Sequence, residues 1–287
     1  MEHKGMKRRE VVIKKRKKLI LKKWIRVTIL IIFLLIFIIS SFKLFVWKQD
    51  GDKIKNIEEK IIKDVKPIEK EAIEENTEII NPPDDKDNDY WNYIKMNMLS
   101  VNFNELLKKN KDTVGWIKVE GTNINYPVVQ TTDNDYYLSH SYDKTKNKAG
   151  WVYADYRNNL NSFDKNTIIY AHGRVDTTMF GSLKNILQSS WYNNKNNHII
   201  KFSTAKENTL WQVFSVYTIK AESYYITTDF SSDEEFIKFI NILKERSQVN
   251  FSAIPTKDDK ILTLSTCKDS KGNRVVMHAK LIKKETK

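Results

Sequence analysis

The segment KILTLSTC occupies residues 260–267, and RVVMHAKLI follows it at residues 274–282. In the second segment, apolar residues alternate with Arg274, His278 and Lys280, which predicts a half-buried strand with one mostly polar face. The six residues between the segments, KDSKGN, contain Gly-Asn, which favours a turn. The two segments therefore predict neighbouring strands joined by a short loop.

The alternation of the first strand places Cys267 on its more polar face, away from the leucines. If the two strands form a hairpin, Cys267 and Arg274 flank the loop and pair directly, with Cβ atoms roughly 5 Å apart. A guanidinium beside a thiol favours the thiolate and can stabilise an oxyanion. The pair is therefore a candidate nucleophile with its electrostatic partner.

A cysteine nucleophile also needs a proton donor for the leaving amine, and this donor is normally histidine. His172 ends the apolar run NTIIYAH at 166–172 and precedes Gly173, which places it at a strand-to-loop edge. Catalytic side chains are often found at such edges. His172 is therefore the candidate general acid/base. The other histidines have no comparable setting: His3, His140, His198 and His278.

Each of these residues also has a purely structural interpretation. A lone cysteine is most often a small buried hydrophobe. A histidine at a strand end is usually a surface hydrogen-bonding group, and Arg274 could be a solvated turn residue. A Cys/His metal site is disfavoured, because the sequence has no Cys-x-x-Cys and no histidine pair at ligand spacing.

Residues 91–287 form the predicted globular domain, in which short runs rich in Val, Ile, Thr and aromatic residues dominate. Further predicted strands are VGWIKV at 114–119, INYPVVQ at 124–130, HIIKF at 198–202 and LWQVFSVYTI at 210–219. A short helix is predicted to begin near Asn102, and a longer one follows the capping box Ser232–Glu235. Many strands with few helices predict a mainly β domain, either a barrel or a sandwich.

Most of the formal net charge of +13 lies at one end of the chain, because residues 1–26 hold 12 Lys+Arg and 2 acids. Residues 27–47 then carry one charge, Lys43, over a length that spans roughly 30 Å as a helix. This pattern predicts an uncleaved transmembrane anchor with a cytoplasmic N-terminus and an external domain. A signal peptide is disfavoured, since Ser40-Ser41 followed by Phe42 is a poor cleavage site.

The placement of the charge argues against several function classes. A nucleic-acid-binding tail is disfavoured, because the basic run abuts the predicted span. One cysteine excludes an intrachain disulfide scaffold. The 8 glycines and 5 prolines are too few for a collagen-like or low-complexity chain.

Residues 48–90 have a net charge of −6 and form a predicted linker. Apolar residues recur there at helical spacing: Ile54, Ile57, Ile61, Val65, Ile68 and Ala72. Pro67 is expected to interrupt or kink this helix, and NPPDDKDND at 81–89 is typical of a spacer. Two arrangements stay open, a solvated stalk and a helix packed on the domain.

The segment Thr263–Cys267, TLSTC, resembles the TLxTC signature of sortases, the membrane-anchored cysteine transpeptidases of Gram-positive bacteria. The blocks at 102–140, 168–185 and 274–282 resemble the opening, the histidine region and the arginine strand of that family, in the family's order. The helical stretch before the domain, the TMFGSL segment and the predicted helix at 232–247 are most similar to class B.

The resemblance implies a closed β-barrel of about eight strands with peripheral helices, preceded by one transmembrane helix. It implies that Cys267 is the nucleophile, His172 the general acid/base and Arg274 an oxyanion or substrate stabiliser. No metal or organic cofactor is implied. The chain departs from the family pattern at Ala171 and Gly173, where the family usually has Gly and, in class B, often Asn. Neither change removes a reacting group.

The implied activity is cleavage of a surface protein's C-terminal sorting signal at a Thr–Gly-type bond. The acyl group would pass through a thioester to an amine of a peptidoglycan precursor. A pilin-polymerising sortase, with a lysine amine as acceptor, is the nearest alternative. A membrane-tethered module with a structural cysteine is the alternative from another class, since the domain's net charge of +8 could hold anionic wall polymers.

Overall fold

The computed structural model describes residues 22–220, 222–266 and 272–287. The chain divides into two compact units, one reaching Val46 and the other running from Trp47 to Lys287. The described helices are α1 (Lys23–Val65), α2 (Tyr90–Tyr93), α3 (Phe103–Lys109), α4 (Ser189–Tyr192) and α5 (Asp233–Glu245). The described strands are β1 (Ile68–Lys70), β2 (Thr77–Ile79), β3 (Met98–Ser100), β4 (Thr113–Val119), β5 (Asn125–Val129), β6 (Tyr153–Ala154), β7 (Asn166–Ala171), β8 (Ile199–Ser203), β9 (Glu207–Lys220), β10 (Ile261–Thr266) and β11 (Asn273–Thr286).

The first unit consists, in its described part, of the N-terminal portion of α1. Its apolar side chains are exposed, as Phe33 and Phe37 illustrate. Within the described residues, α1 is the one helix long and apolar enough to cross a membrane. The predicted apolar helix is therefore present.

In the second unit, eight of the described strands close into a barrel. Their order is β10, β7, β6, β5, β4, β8, β9 and β11, and β11 pairs back with β10. β2 adds to the end of β11 through the pair Lys283 and Ile79. The prediction of a mainly β fold with a closed barrel of about eight strands is confirmed, and closure leaves few unpaired strand edges.

The predicted elements of the domain are all present. The side chain of Asn102 accepts a hydrogen bond from the backbone N of Asn104 at 3.1 Å and begins α3. Ser232 Oγ accepts from the backbone N of Glu235 at 3.2 Å and begins α5. The Glu235 carboxylate bonds the backbone N of Ser231 at 2.7 Å, one residue earlier than a capping box requires.

The prediction of a half-buried β11 with an exposed polar face is wrong. Met277, Ala279 and Leu281 belong to the main apolar core, as the alternation predicts. The opposite face, which carries His278, is buried as well. A second apolar cluster covers this face, and it is built mainly from α5 and β9: Phe214, Tyr217, Ile219, Tyr225, Phe236, Phe239, Ile240, Leu243, Ala253, Ile261 and Val276.

The segment of residues 48–90 packs on the barrel. Ile54, Ile61 and Val65 of α1 are buried in the main apolar core. Of the two open arrangements, the packed helix is the one observed. The helix ends at Val65, before Pro67, so the interruption is confirmed. The continuation of the helical pattern to Ile68 is wrong, because β1 begins there.

Candidate active site

His172 lies at the edge of the barrel, directly after the last residue of β7. All six residues of β7 are buried, so the strand is fixed on both faces. His172 follows directly, and its carbonyl accepts a hydrogen bond from the backbone N of Phe180 at 3.0 Å. This bond closes the loop of residues 172–180 at its base. The expected strand-to-loop position of His172 is therefore the observed one.

The imidazole of His172 is half-buried and has a defined orientation. Its Nε2 lies 2.8 Å from the carbonyl oxygen of Leu138. A carbonyl can only accept, so this contact assigns the hydrogen to Nε2 and leaves Nδ1 as the nitrogen that can exchange a proton. Gly150 has a φ of 63°, and a Cβ there would lie 3.0 Å from His172 Cδ2. A side chain at that position would therefore press on the ring.

The end of β10 lies next to the segments that carry His172 and Arg274. Thr266, the last residue of β10, pairs with Ala171 in the parallel ladder to β7. Its Oγ1 accepts a hydrogen bond from the backbone N of Val275 at 2.9 Å. Thr266 therefore contacts the residue before His172 and the residue after Arg274. The predicted nucleophile, Cys267, lies outside the described residues.

Arg274 lies near the start of β11, where it pairs with Ile219 of β9. Its Nη1 donates to the hydroxyl of Tyr225 at 3.2 Å. Its Nε is buried and has no hydrogen-bond partner among the described residues. The side chain borders an open cleft of about 580 Å³, which is also lined by Glu222, Ser223, Tyr224 and Ile226. Arg274 is therefore a half-buried cation beside a cleft, and a fully solvated turn residue is excluded.

The position of Arg274 depends on a residue that the sequence did not reveal. The hydroxyl of Tyr225 lies 3.0 Å from Ser265 Oγ, and the Tyr225 carbonyl accepts from Asn166 Nδ2 at 3.2 Å. These bonds tie the partner of Arg274 to β10 and β7. Tyr225 belongs to a short 3-10 turn, Tyr224–Ile226, and no periodic pattern marks such a turn.

The remaining described histidines have structural roles. His278 is fully buried between Tyr217 and Thr263, and burial lowers its pKa to about 3. His198 contacts Tyr93 and the Tyr192 carbonyl, and burial lowers its pKa as well. His140 stacks on the ring of Tyr136. The remaining candidate, His3, lies outside the described residues. In the described parts of the chain, no group of three or more His, Cys, Asp or Glu residues is arranged to hold a metal ion.

Comparison with known proteins gives a consistent result. The family model "Sortase domain" matches residues 117–282. Sortase B of Staphylococcus aureus is 39% identical over 184 residues, which cover 63% of this chain and 75% of that protein. The crystal structure of sortase B from B. anthracis in complex with AAEK1 superposes with a TM-score of 0.66 at 33% identity, covering 82% of this chain and 99% of that one. A crystal structure of sortase B complexed with triglycine has a TM-score of 0.60 at 39% identity, covering 63% and 85%. The chain therefore belongs to the sortase family, as a cysteine transpeptidase of the class B type.

Proposed function

We propose that Cys267, His172 and Arg274 form the catalytic group of this enzyme. Cys267 follows Thr266 by one peptide bond, and consecutive Cα atoms are about 3.8 Å apart. Thr266 in turn pairs with the residue before His172 and bonds the residue after Arg274. This convergence on Thr266 is the observation that supports the assignment.

In the first step, the Cys267 thiol gives its proton to Nδ1 of His172, and the resulting thiolate attacks the carbonyl carbon of a Thr–Gly-type bond in a sorting signal. A C–S bond forms, and the carbonyl oxygen becomes an oxyanion that the Arg274 guanidinium stabilises. When the C–N bond breaks, the leaving amine takes a proton from His172. With Nε2 bonded to the Leu138 carbonyl, that proton comes from Nδ1. The products are a thioester acyl-enzyme and a free amine.

In the second step, an amine attacks the thioester carbonyl and gives its proton to His172. The C–S bond breaks, the new amide forms and the Cys267 thiolate is regenerated. We propose an amine of a peptidoglycan precursor as the acceptor. The triglycine bound to the sortase B neighbour supports a glycine α-amine rather than a pilin lysine.

A peptide library tests the substrate and the acceptor together. The full chain in detergent micelles is incubated with sorting-signal peptides and with triglycine, a lysine peptide or water as acceptor. We expect transfer to triglycine to be faster than transfer to lysine. Faster transfer to lysine would support the pilin-polymerising alternative. If no peptide is cleaved and no acyl-enzyme forms, the wall-binding module is favoured.

We further propose that residues 1–26 are cytoplasmic and that residues 27–47 anchor the chain in the membrane. In this proposal, residues 48–90 connect the anchor to the catalytic domain, residues 91–287, which acts outside the membrane. The basic flank before the apolar helix supports this orientation. Cys267 is the only cysteine, so a membrane-impermeant thiol reagent reports its side directly. We expect labelling in intact protoplasts at the rate seen after lysis. Labelling only after lysis would reverse the topology.

A further inference from the structure

The loop that follows His172 is held at both ends. Phe180 donates its backbone N–H to the His172 carbonyl, and Gly173 and Met179 form an isolated β-bridge. The backbone N of Thr177 donates to the carbonyl of Arg174 at 3.2 Å, which forms a turn inside the loop. Because the loop is this short and closed, a group that fixes its interior also fixes the backbone that carries His172.

Arg174 is that interior group. It is only 8% exposed, although it lies in a surface loop. Its Nη2 donates to Asp176 Oδ2 at 2.7 Å, and its Nε donates to Thr178 Oγ1 at 3.0 Å. A buried guanidinium is costly unless its donors and charge are satisfied, and here the loop's own side chains satisfy them. Arg174, Asp176 and Thr178 therefore form a clamp across the loop, which we call the loop clamp.

The carboxylate of the loop clamp is held in its charged form. Burial alone would raise the pKa of Asp176, but hydrogen bonds from Arg174 and Thr178 outweigh it, and the pKa lies below its ordinary value. The clamp is therefore a charged pair near neutral pH. The geometry of the loop clamp also depends on the contacts that the Arg174 guanidinium makes outside the loop.

Those contacts are made with α1. The Nη2 of Arg174 also donates to the backbone carbonyl of Trp47 at 3.2 Å, and its Cζ lies 4.8 Å from the centroid of the Trp47 ring. Arg174 thus combines a hydrogen bond with a cation–π contact on one helix residue. A few residues further along the helix, the Asp50 carbonyl accepts from Asn147 Nδ2 at 3.1 Å. The helix is therefore also held by a hydrogen bond outside the loop of residues 172–180.

Gly51 allows α1 to approach the loop clamp closely. Glycine is a poor residue for a helix interior, so its presence needs a reason. A Cβ at Gly51 would lie 2.5 Å from Asp176 Oδ2 and 3.0 Å from Arg174 Nη2. The missing side chain makes room for the loop clamp.

We propose that Arg174, supported by Trp47 and Gly51 of α1, is a positioning residue for His172. The inference rests on the proposed role of His172 as general acid/base. Residues 47–51 then belong to the catalytic unit, although they precede the family's matched segment at 117–282 by many residues. Loosening the loop clamp moves His172 away from its working position without removing any reacting group.

The test uses the full chain in detergent micelles and a quenched fluorogenic peptide with a Thr–Gly bond. Two variants loosen the clamp, Arg174→Ala and Trp47→Ala. We expect each to lower kcat about tenfold or more with KM within about twofold, since a shift of about 1 Å in a catalytic group can cost 100-fold. We also expect both variants to shift the limb of the pH–rate profile that His172 controls. Trp47→Phe keeps an aromatic face for the Arg174 guanidinium, so it should restore the parent kcat and profile.

A second readout does not need the peptide. Cys267 is the only cysteine, so its alkylation by iodoacetamide is read by intact mass, and its pH dependence reports how well His172 is coupled to it. Trp91→Ala is the matched control, because Trp91 also carries a stacked cation, Lys86 at 4.4 Å, and it lies on α2. It should leave kcat and both pH profiles unchanged.

The proposal is overturned if both alanine variants keep kcat within about twofold and show the parent profiles. It is also overturned if Trp91→Ala or Trp47→Phe loses as much as Trp47→Ala, because the effect would then be general destabilisation. The proposed catalytic roles of Cys267 and His172 are tested separately. If Cys267→Ala and His172→Ala keep the parent turnover, the proposed function is wrong. If those two are inactive while Arg174→Ala and Trp47→Ala both behave like the parent, only this inference is wrong.

Discussion

At His172, one hydrogen bond decides which ring nitrogen is left for the proposed acid/base role. The Leu138 carbonyl accepts from Nε2, so the proposed mechanism uses Nδ1. The strand-end position of His172 could be predicted from the apolar run before it. The carbonyl could not, because it is a backbone group that the 3-10 turn Tyr136–Leu138 brings in from 34 residues earlier.

Replacing His172 tests its role directly. We expect His172→Ala to lower kcat about 100- to 10,000-fold, which is the usual contribution of a general acid/base. The melting temperature should change little, because the ring is half-buried and makes one hydrogen bond. His198→Ala is the control: His198 is buried, so its loss should lower the melting temperature and leave the kcat of the folded enzyme unchanged. A His172→Ala enzyme with near-parent kcat would refute the assignment.

Glu58 predicts a pH dependence of stability. Burial raises its pKa to about 7 against an ordinary value of 4.5, despite a hydrogen bond with Tyr126. The folded protein therefore binds a proton that the unfolded chain releases, and stability falls as pH rises from about 4.5 to 7. We expect Glu58→Gln to stabilise the protein by about 1–3 kcal/mol at pH 8, after discounting for partial solvent exposure.

Urea unfolding of the parent and of Glu58→Gln at pH 4 and pH 8 measures this effect. The two proteins should be equally stable at pH 4 and differ at pH 8. Glu59→Gln is the matched control, since Glu59 is the exposed neighbour on the same helix. An equal gain from Glu59→Gln, or no gain from Glu58→Gln, would show that Glu58 is not the titrating group.

At the scale of elements, the strands could be predicted from the sequence. Which of their faces are covered by other elements could not. The alternation in RVVMHAKLI correctly gives the residues of β11 that face the core. It also indicates an exposed polar face, yet His278 and Thr263 are buried there and bonded to each other at 2.8 Å. A polar residue on a strand is compatible with solvent or with a buried partner, and only the packing of α5 decides between them.

The packing of α1 on the barrel predicts a large effect of core truncation. Ile61 is 3% exposed and belongs to the main core. We expect Ile61→Ala to lower the free energy of unfolding by about 2–5 kcal/mol. Ile68→Ala is the matched control, because Ile68 is 56% exposed and should cost well under 1 kcal/mol. Denaturant unfolding measures both, and equal losses would contradict the packed helix.

At the scale of the whole molecule, the site depends on a pairing between distant segments. β7 and β10 run parallel and in register, with Leu264 opposite Ile169 and Thr266 opposite Ala171. Paired residues of the two strands are 95 positions apart in the sequence, and strand patterns alone do not show which strands pair. The resemblance to sortases implied a closed barrel, whereas many short strands with few helices by themselves left either a barrel or a sandwich open.

Because the segment before residue 91 packs on the barrel, we expect the stability of a truncated chain to depend on whether it keeps this segment. A fragment of residues 47–287 keeps Ile54, Ile61, Val65 and β2. A fragment of residues 91–287 loses them, and with them on the order of 5 kcal/mol of apolar burial, a large share of a domain's stability. We expect the longer fragment to unfold cooperatively and the shorter one to be much less stable or to aggregate. Equal melting temperatures would show that the segment contributes nothing.

The formation of an acyl-enzyme on Cys267 tests the central claim most directly. The full chain is mixed with the best cleaved peptide, without an amine acceptor, and its intact mass is measured after quenching in acid. We predict a mass increase equal to the acyl fragment of the peptide, lost on adding hydroxylamine and absent in Cys267→Ala. Cleavage at the parent rate by Cys267→Ala, or an adduct that persists in that variant, would contradict the thioester mechanism.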